Sequence, residues 1–187
     1  MSKRAKRFLI LAWCSLLGFA IPVLGQPRAN GTLKNGVYHH NRTGIEFTLP
    51  PDWVIVSQGH ASSEAQTVLI RDTVTDIIGT VWLTPRTVDP ADIPALMSRR
   101  LDSKVAQRNN FEGYRYRPDS VQQGTVGGRP GLRAVADYVR AGQQMVEYIT
   151  WVDGEKSRVA FSARMPASEL PAFQSRFDDV IQSAMVP

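Results

Sequence analysis

A single cysteine, Cys14, occurs in the 187 residues, and it lies within the first apolar stretch. An internal disulfide framework is therefore excluded, as are Cys-x-x-Cys redox sites and cysteine-rich zinc sites. Histidine is almost as scarce, with His39, His40 and His60 alone. His39 and His40 are adjacent, so on a strand they point to opposite faces and do not converge on one metal. The chain has no His-x-x-Glu-His and no Gly-x-Ser-x-Gly, the local patterns of zinc peptidases and of α/β-hydrolases. The glycines between Gly124 and Gly131 lack the spacing of a phosphate loop, and no helical pattern follows them. His39 or His40 with Glu46 is the best metal grouping, yet it reads as the surface of an edge hairpin. Asp178-Asp179 read as a solvated helix surface, and Asp72 and Asp76 as turn residues. No catalytic, cofactor-binding or metal-binding residue is assigned. A Ser-His-Asp group assembled in space stays open as a hydrolase alternative.

Runs of like charge are also missing beyond the first seven residues. Met1 to Arg7 hold four basic residues and no acid, and an uncharged run follows from Phe8 to Leu24. It closes on Val23-Leu24-Gly25, with Gln26-Pro27 next. A basic head, an apolar middle and small residues before a cut site make a secretory signal peptide over residues 1–25, with cleavage between Gly25 and Gln26. The run is short for a spanning helix. The large Trp13 before Cys14 disfavours a lipid-anchor box, and the lack of an Arg-Arg pair before the apolar run favours the general export route. Export would remove four of 22 basic residues and none of 17 acidic ones, leaving a net charge of +1. The basic balance is thus a targeting feature, and nucleic acid is not an expected partner.

Turn formers fill residues 26–36, read here as a flexible tether. From Val37 onward, turn signals recur at strand spacing. Expected strands are Val37–His40, Ile45–Leu49, Trp53–Val56, Thr67–Arg71, Ile77–Thr84, Ser120–Val126, Leu132–Arg140, Gln143–Val152 and Ser157–Ala163. Residues 57–66 and 109–119 read as loops. Ile93, Leu96, Met97, Arg100, Leu101 and Val105 share one helical face after an Asp89-Pro90 start. Leu170, Phe173, Phe177, Val180, Ile181 and Ala184 make a second apolar stripe in a closing helix. The simplest assembly is one α+β domain over residues 37–187, a central antiparallel sheet flanked by helices.

Four patterns in order resemble the Mog1/PsbP-like domains. They are Gly44-Ile45-Glu46-Phe47-Thr48-Leu49-Pro50-Pro51-Asp52-Trp53, the Gly128-Arg129-Pro130-Gly131 turn, the hairpin strand ending Tyr148-Ile149-Thr150-Trp151, and the closing helix near Ser183. The resemblance implies an α/β/α sandwich with helices on both faces of the sheet. It also implies work by binding or assembly, since the family spans a photosystem accessory subunit, a partner of a small nuclear GTPase and envelope proteins.

The functional expectation is an exported, non-enzymatic accessory domain, periplasmic or extracellular, with a protein partner and no cofactor. The candidate interaction surface is Tyr114, Arg115, Tyr116 and Arg117, where aromatic and arginine side chains alternate. Trp53, Trp82 and Trp151 are expected in the core. The alternative is a carrier of a small apolar molecule or lipid, held between sheet and helices.

Overall fold

The computed structural model describes residues 31–60, 65–85 and 111–187. The signal peptide, the Gly25–Gln26 cut site and the expected helix after Asp89 lie outside these residues. Two sheets are present among the described residues. The smaller runs β1 (Gly31–Lys34), β2 (Val37–His40) and β3 (Glu46–Thr48) in that order. Gly31–Lys34 therefore forms a strand where a tether was expected. Asn35-Gly36 is the reason: both residues take positive φ, 52° and 76°, which is the backbone of a two-residue hairpin turn. The turn folds β1 onto β2 in register from Lys34–Val37 to Gly31–His40.

The larger sheet has eight antiparallel strands. They are β4 (Trp53–His60), β5 (Gln66–Asp72), β6 (Ile78–Pro85), β7 (Glu112–Tyr116), β8 (Gln122–Val126), β9 (Arg129–Arg140), β10 (Gln143–Asp153) and β11 (Ser157–Pro166). Their order is β4-β5-β6-β11-β10-β9-β7, and β8 continues the edge along the first half of β9. Two expected loops are partly strand. Residues 57–60 extend β4 beyond a bulge, and residues 112–116 pair with β9.

One α-helix, α1 (Leu170–Gln182), is found among the described residues, entered through a 3₁₀ turn at Ala167–Glu169. Pro171 stands in its first turn, where the missing N–H is harmless. Its buried stripe is Leu170, Phe173, Phe177, Val180 and Ile181. Here the fold is dominated by sheet, with a helix on one face; the expected flanking by helices on both faces is a correction to that extent. The first of the two expected helices falls outside the described residues.

Strand alternation sorts the core. Val146, Tyr148 and Val152 of β10 and Val159, Phe161, Ala163 and Met165 of β11 are buried on the face that α1 covers. The small sheet packs on the same face, with the Phe47 ring 6.0 Å from that of Phe161. The opposite face buries Leu132, Ile149 and Trp151 in one cluster and Tyr114, Ala136 and Tyr138 in another.

Phe177 is the hub of the helix–sheet contact. Its ring lies 4.9 Å from Phe173, 5.7 Å from Trp53, and 6.2 Å from both Tyr148 and Phe161. Gly79 makes the seat, because a Cβ there would come within 2.9 Å of the Phe177 ring. Aromatic contacts of this kind add to the burial of apolar area. Phe177→Ala should cost about 3–5 kcal/mol, and Gly79→Ala about 1–3 kcal/mol through overpacking. Urea unfolding of both variants measures the two costs. A loss under about 1 kcal/mol for Phe177→Ala would show that the hub is misassigned.

Candidate functional site

Asp72 closes β5 and shows how polar groups are fixed here. It is fully buried. Its carboxylate accepts from the Val74 N–H at 3.1 Å and from the Thr75 hydroxyl at 2.9 Å, the local turn bonds its sequence position suggests. It also accepts twice from Arg176 of α1, Nε at 2.7 Å and Nη2 at 2.8 Å. Burial opposes the charge on Asp72, but the Arg176 guanidinium and the two turn donors outweigh it and hold the carboxyl below its usual range. Arg176 reaches Asp52 as well, at 3.4 Å. A turn residue thus becomes the anchor of the helix.

Two residues along, Asp178 meets a second polar group. The Tyr148 hydroxyl donates to Asp178 Oδ1, and Arg133 Nη2 lies 3.1 Å from the same oxygen. The Arg133 guanidinium also sits over the Tyr148 ring, 5.8 Å from its centre, a favourable cation–π placement. Burial raises the Asp178 carboxyl despite these partners, and burial also raises the Tyr148 hydroxyl. Asp178 is therefore part of a half-buried cluster against the sheet, which corrects the expectation of a solvated helix surface. Its neighbour Asp179 is exposed.

Beside the cluster lies a cavity of about 160 Å³. β8 forms one wall, Gly131, Leu132 and Arg133 of β9 and Thr150 of β10 form the floor, and Gln182 at the end of α1 overhangs it.

The segment Tyr114 to Arg117 is a strand and its exit, where a loop was expected. Gly113 has φ of +66° beside a register shift, which lets the edge bend onto β9. Tyr114 is buried, and its hydroxyl donates to the buried Glu147 carboxylate at 3.0 Å. Burial first, then the charge of Glu147, pushes the Tyr114 hydroxyl above its usual range. Tyr116 is half-buried against the Tyr114 ring. Arg117 forms a two-pronged pair with Asp137, at 2.7 and 2.9 Å. This bond holds the Asp137 carboxyl low. Arg115 alone of the four is exposed.

Histidines hold structure. His39 Nδ1 is 2.8 Å from Glu46 Oε1 across the β2–β3 pair. His40 is buried between Thr43 and Gln66. The Thr43 N–H points at His40 Nδ1, so Nε2 carries the proton towards Gln66. Burial lowers the His40 pKa. Among the described residues, no three His, Cys, Asp or Glu side chains group as metal ligands.

Trp53 and Trp151 are buried as expected, but Trp82 is 37% exposed. It projects from β6 on the face away from α1, in register with Thr67 and Ala160. Four residues back along β6, Ile78 is 44% exposed on the same face; it and Val54 of β4, 37% exposed, lie on either side of the exposed Arg71 of β5, and Val56 at the β4 bulge is 49% exposed.

This architecture, a long antiparallel sheet with a closing helix on one face, is that of the PsbP-like α+β domains. Two solved structures share it. PsbP of the cyanobacterium Synechocystis matches at a TM-score of 0.61 and 15% identity, over 85% of this chain and 94% of its own. LpqN of Mycobacterium tuberculosis, involved in cell envelope biogenesis, matches at 0.53 and 16% identity, over 76% of this chain and 83% of its own. No protein-family model and no curated protein matches the sequence. The chain has the Mog1/PsbP-like fold that the four motifs suggested.

Because the folded Asp72 pKa lies below the ordinary 3.8, its ion pair contributes stability fully above that value. The contribution is lost as the pH falls through the lower folded pKa. Urea titrations from about pH 5 to pH 2 should show wild type losing stability steeply in the lower half of that range. Asp72→Asn should start less stable and lose less. An identical acid limb in the variant contradicts the role given to Asp72.

Proposed function

We propose that this chain is an exported accessory domain that acts by binding a protein partner, in the cell envelope or outside it, without catalysing a reaction. The observation that carries the reading is the half-exposed Trp82 on the face of β6 away from α1, with Ile78 exposed four residues back along the same strand. A half-exposed tryptophan presented by a rigid strand suits the anchor of a protein interface. Arg115, the exposed member of the sequence-derived surface, lies on the opposite edge of the sheet and is a secondary contact. The envelope setting is supported by the signal-like residues 1–25 and by the likeness to LpqN.

The rival readings have less to stand on. A carrier pocket between helix and sheet meets a filled space, where Phe47, Phe161, Phe177 and Phe173 follow one another in ring contact. A hydrolase needs a histidine on a serine, whereas the His39 and His40 rings are engaged by Glu46, Thr43 and Gln66.

Affinity capture from the host's own envelope fraction tests the reading. Wild type and Arg115→Ala should retain the same partner, and Trp82→Ser/Ile78→Ser should lose it by at least about tenfold. Circular dichroism of the double variant checks that the fold is kept. A partner held equally by all three proteins rules out the apolar face, and no partner at all rules out the accessory role. Cleavage after Gly25 should appear as Gln26 at the N-terminus of the protein recovered from its host.

A further inference from the structure

The outer face of the small sheet brings together donors that lie far apart in the sequence. His39 of β2 is level with Glu46 of β3, and Glu46 is level in turn with Met185, which adds a one-residue bridge beyond β3. Residues level with each other on antiparallel neighbours project their side chains to the same face. Two backbone hydrogen bonds, at 2.9 and 3.1 Å, hold Met185 to Glu46. Met185 is 56% exposed, so its thioether stands in solvent on a fixed backbone.

His39 is oriented for a ligand. Its Nδ1 lies 2.8 Å from Glu46 Oε1. An ionised carboxylate only accepts, so Nδ1 carries the proton and Nε2 keeps its lone pair. Among the described residues, nothing hydrogen-bonds to Nε2. A carboxylate behind the imidazole is the usual support of a metal-bound histidine; it fixes the tautomer and strengthens the free nitrogen as a donor. His39 and Met185 are two strand spacings apart, about 10 Å, a gap that an imidazole and a thioether reaching over Glu46 can close onto one ion.

We propose that His39 Nε2 and Met185 Sδ bind a Cu(I) ion. The thioether decides the metal, because it takes soft ions such as Cu(I), whereas calcium and magnesium call for oxygen donors. Charge points the same way. Glu46 is the one acid in β1 to β3, and Lys34 shares the face of Thr32, which is level with His39. A monovalent ion therefore suits the site better than a divalent one. The site lies on the small sheet, so it stands or falls separately from the Trp82 face.

Anaerobic titration with Cu(I) against bicinchoninate, a competing chelator, tests the site. The protein carries Cys14→Ser, so that no thiol competes. It should withdraw copper from the chelator, and X-ray absorption at the copper edge should show both sulfur and imidazole nitrogen. Met185→Leu, which keeps the apolar bulk and loses the sulfur, should weaken binding at least about tenfold, as should His39→Gln. Met145→Leu should leave it unchanged. Circular dichroism checks that each variant is folded. No withdrawal of copper, a copper shell without sulfur, equal binding by Met185→Leu, or displacement of Cu(I) by an equal concentration of Zn(II) would each overturn the proposal.

Discussion

The seating of α1 on the large sheet is the contact on which the rest of the structure leans. Within one and a half turns, the helix places Phe173 and Phe177 in the aromatic core, Arg176 on Asp72 and Asp178 on Tyr148 and Arg133. The apolar part supplies most of the driving force, since buried aromatic area outweighs a hydrogen bond or two. The polar part supplies direction. A helix bound by apolar contact alone can rotate or slide, whereas the two-pronged Arg176–Asp72 pair fixes its register against the β5–β6 turn. The chain after the helix is held in the same way. Ser183 bonds β3 through Thr48, Met185 pairs with Glu46, and the Arg129 guanidinium takes the Val186 carbonyl.

Much of this was legible because it is local. The 3.6-residue stripe of α1 and the period-two alternation of β5 and β11 follow from burying one face of each element. All six stripe residues, Leu170 to Ala184, are buried. Tyr114 to Arg117 carried the same alternation, tyrosines inward and arginines outward, and that signal would have identified a strand. The flanking turn residues hid it. Asn35-Gly36 was likewise a hairpin signal inside a polar stretch. The long-range pairs were not legible. Asp72 and Arg176 are 104 residues apart, and nothing local marks a turn aspartate as buried. Asp178 looked solvated because its neighbours on the helix are polar; only the position of Tyr148 and Arg133 on the sheet shows otherwise. Trp82 failed for the converse reason, since composition predicts burial but strand register decides which face a side chain takes.

The two faces of the sheet suit different tasks. The helix-covered face is filled with aromatics at its centre. The other face is buried over β9 and β10 but bears Trp82 and Ile78 uncovered over β6. Rigid strands present both, so neither surface needs a disordered loop to form. A domain of this size with no internal disulfide depends on its core for stability, which makes the helix seat decisive.

Native-state hydrogen exchange across a denaturant series tests that dependence most directly. If α1 holds the sheet and the Arg133–Tyr148–Asp178 cluster together, the amides of residues 173–182 and those of residues 146–152 converge on one opening free energy, that of global unfolding. If the helix amides exchange through a separate opening of lower energy while β10 stays protected, the seat of α1 is not what the rest of the fold depends on.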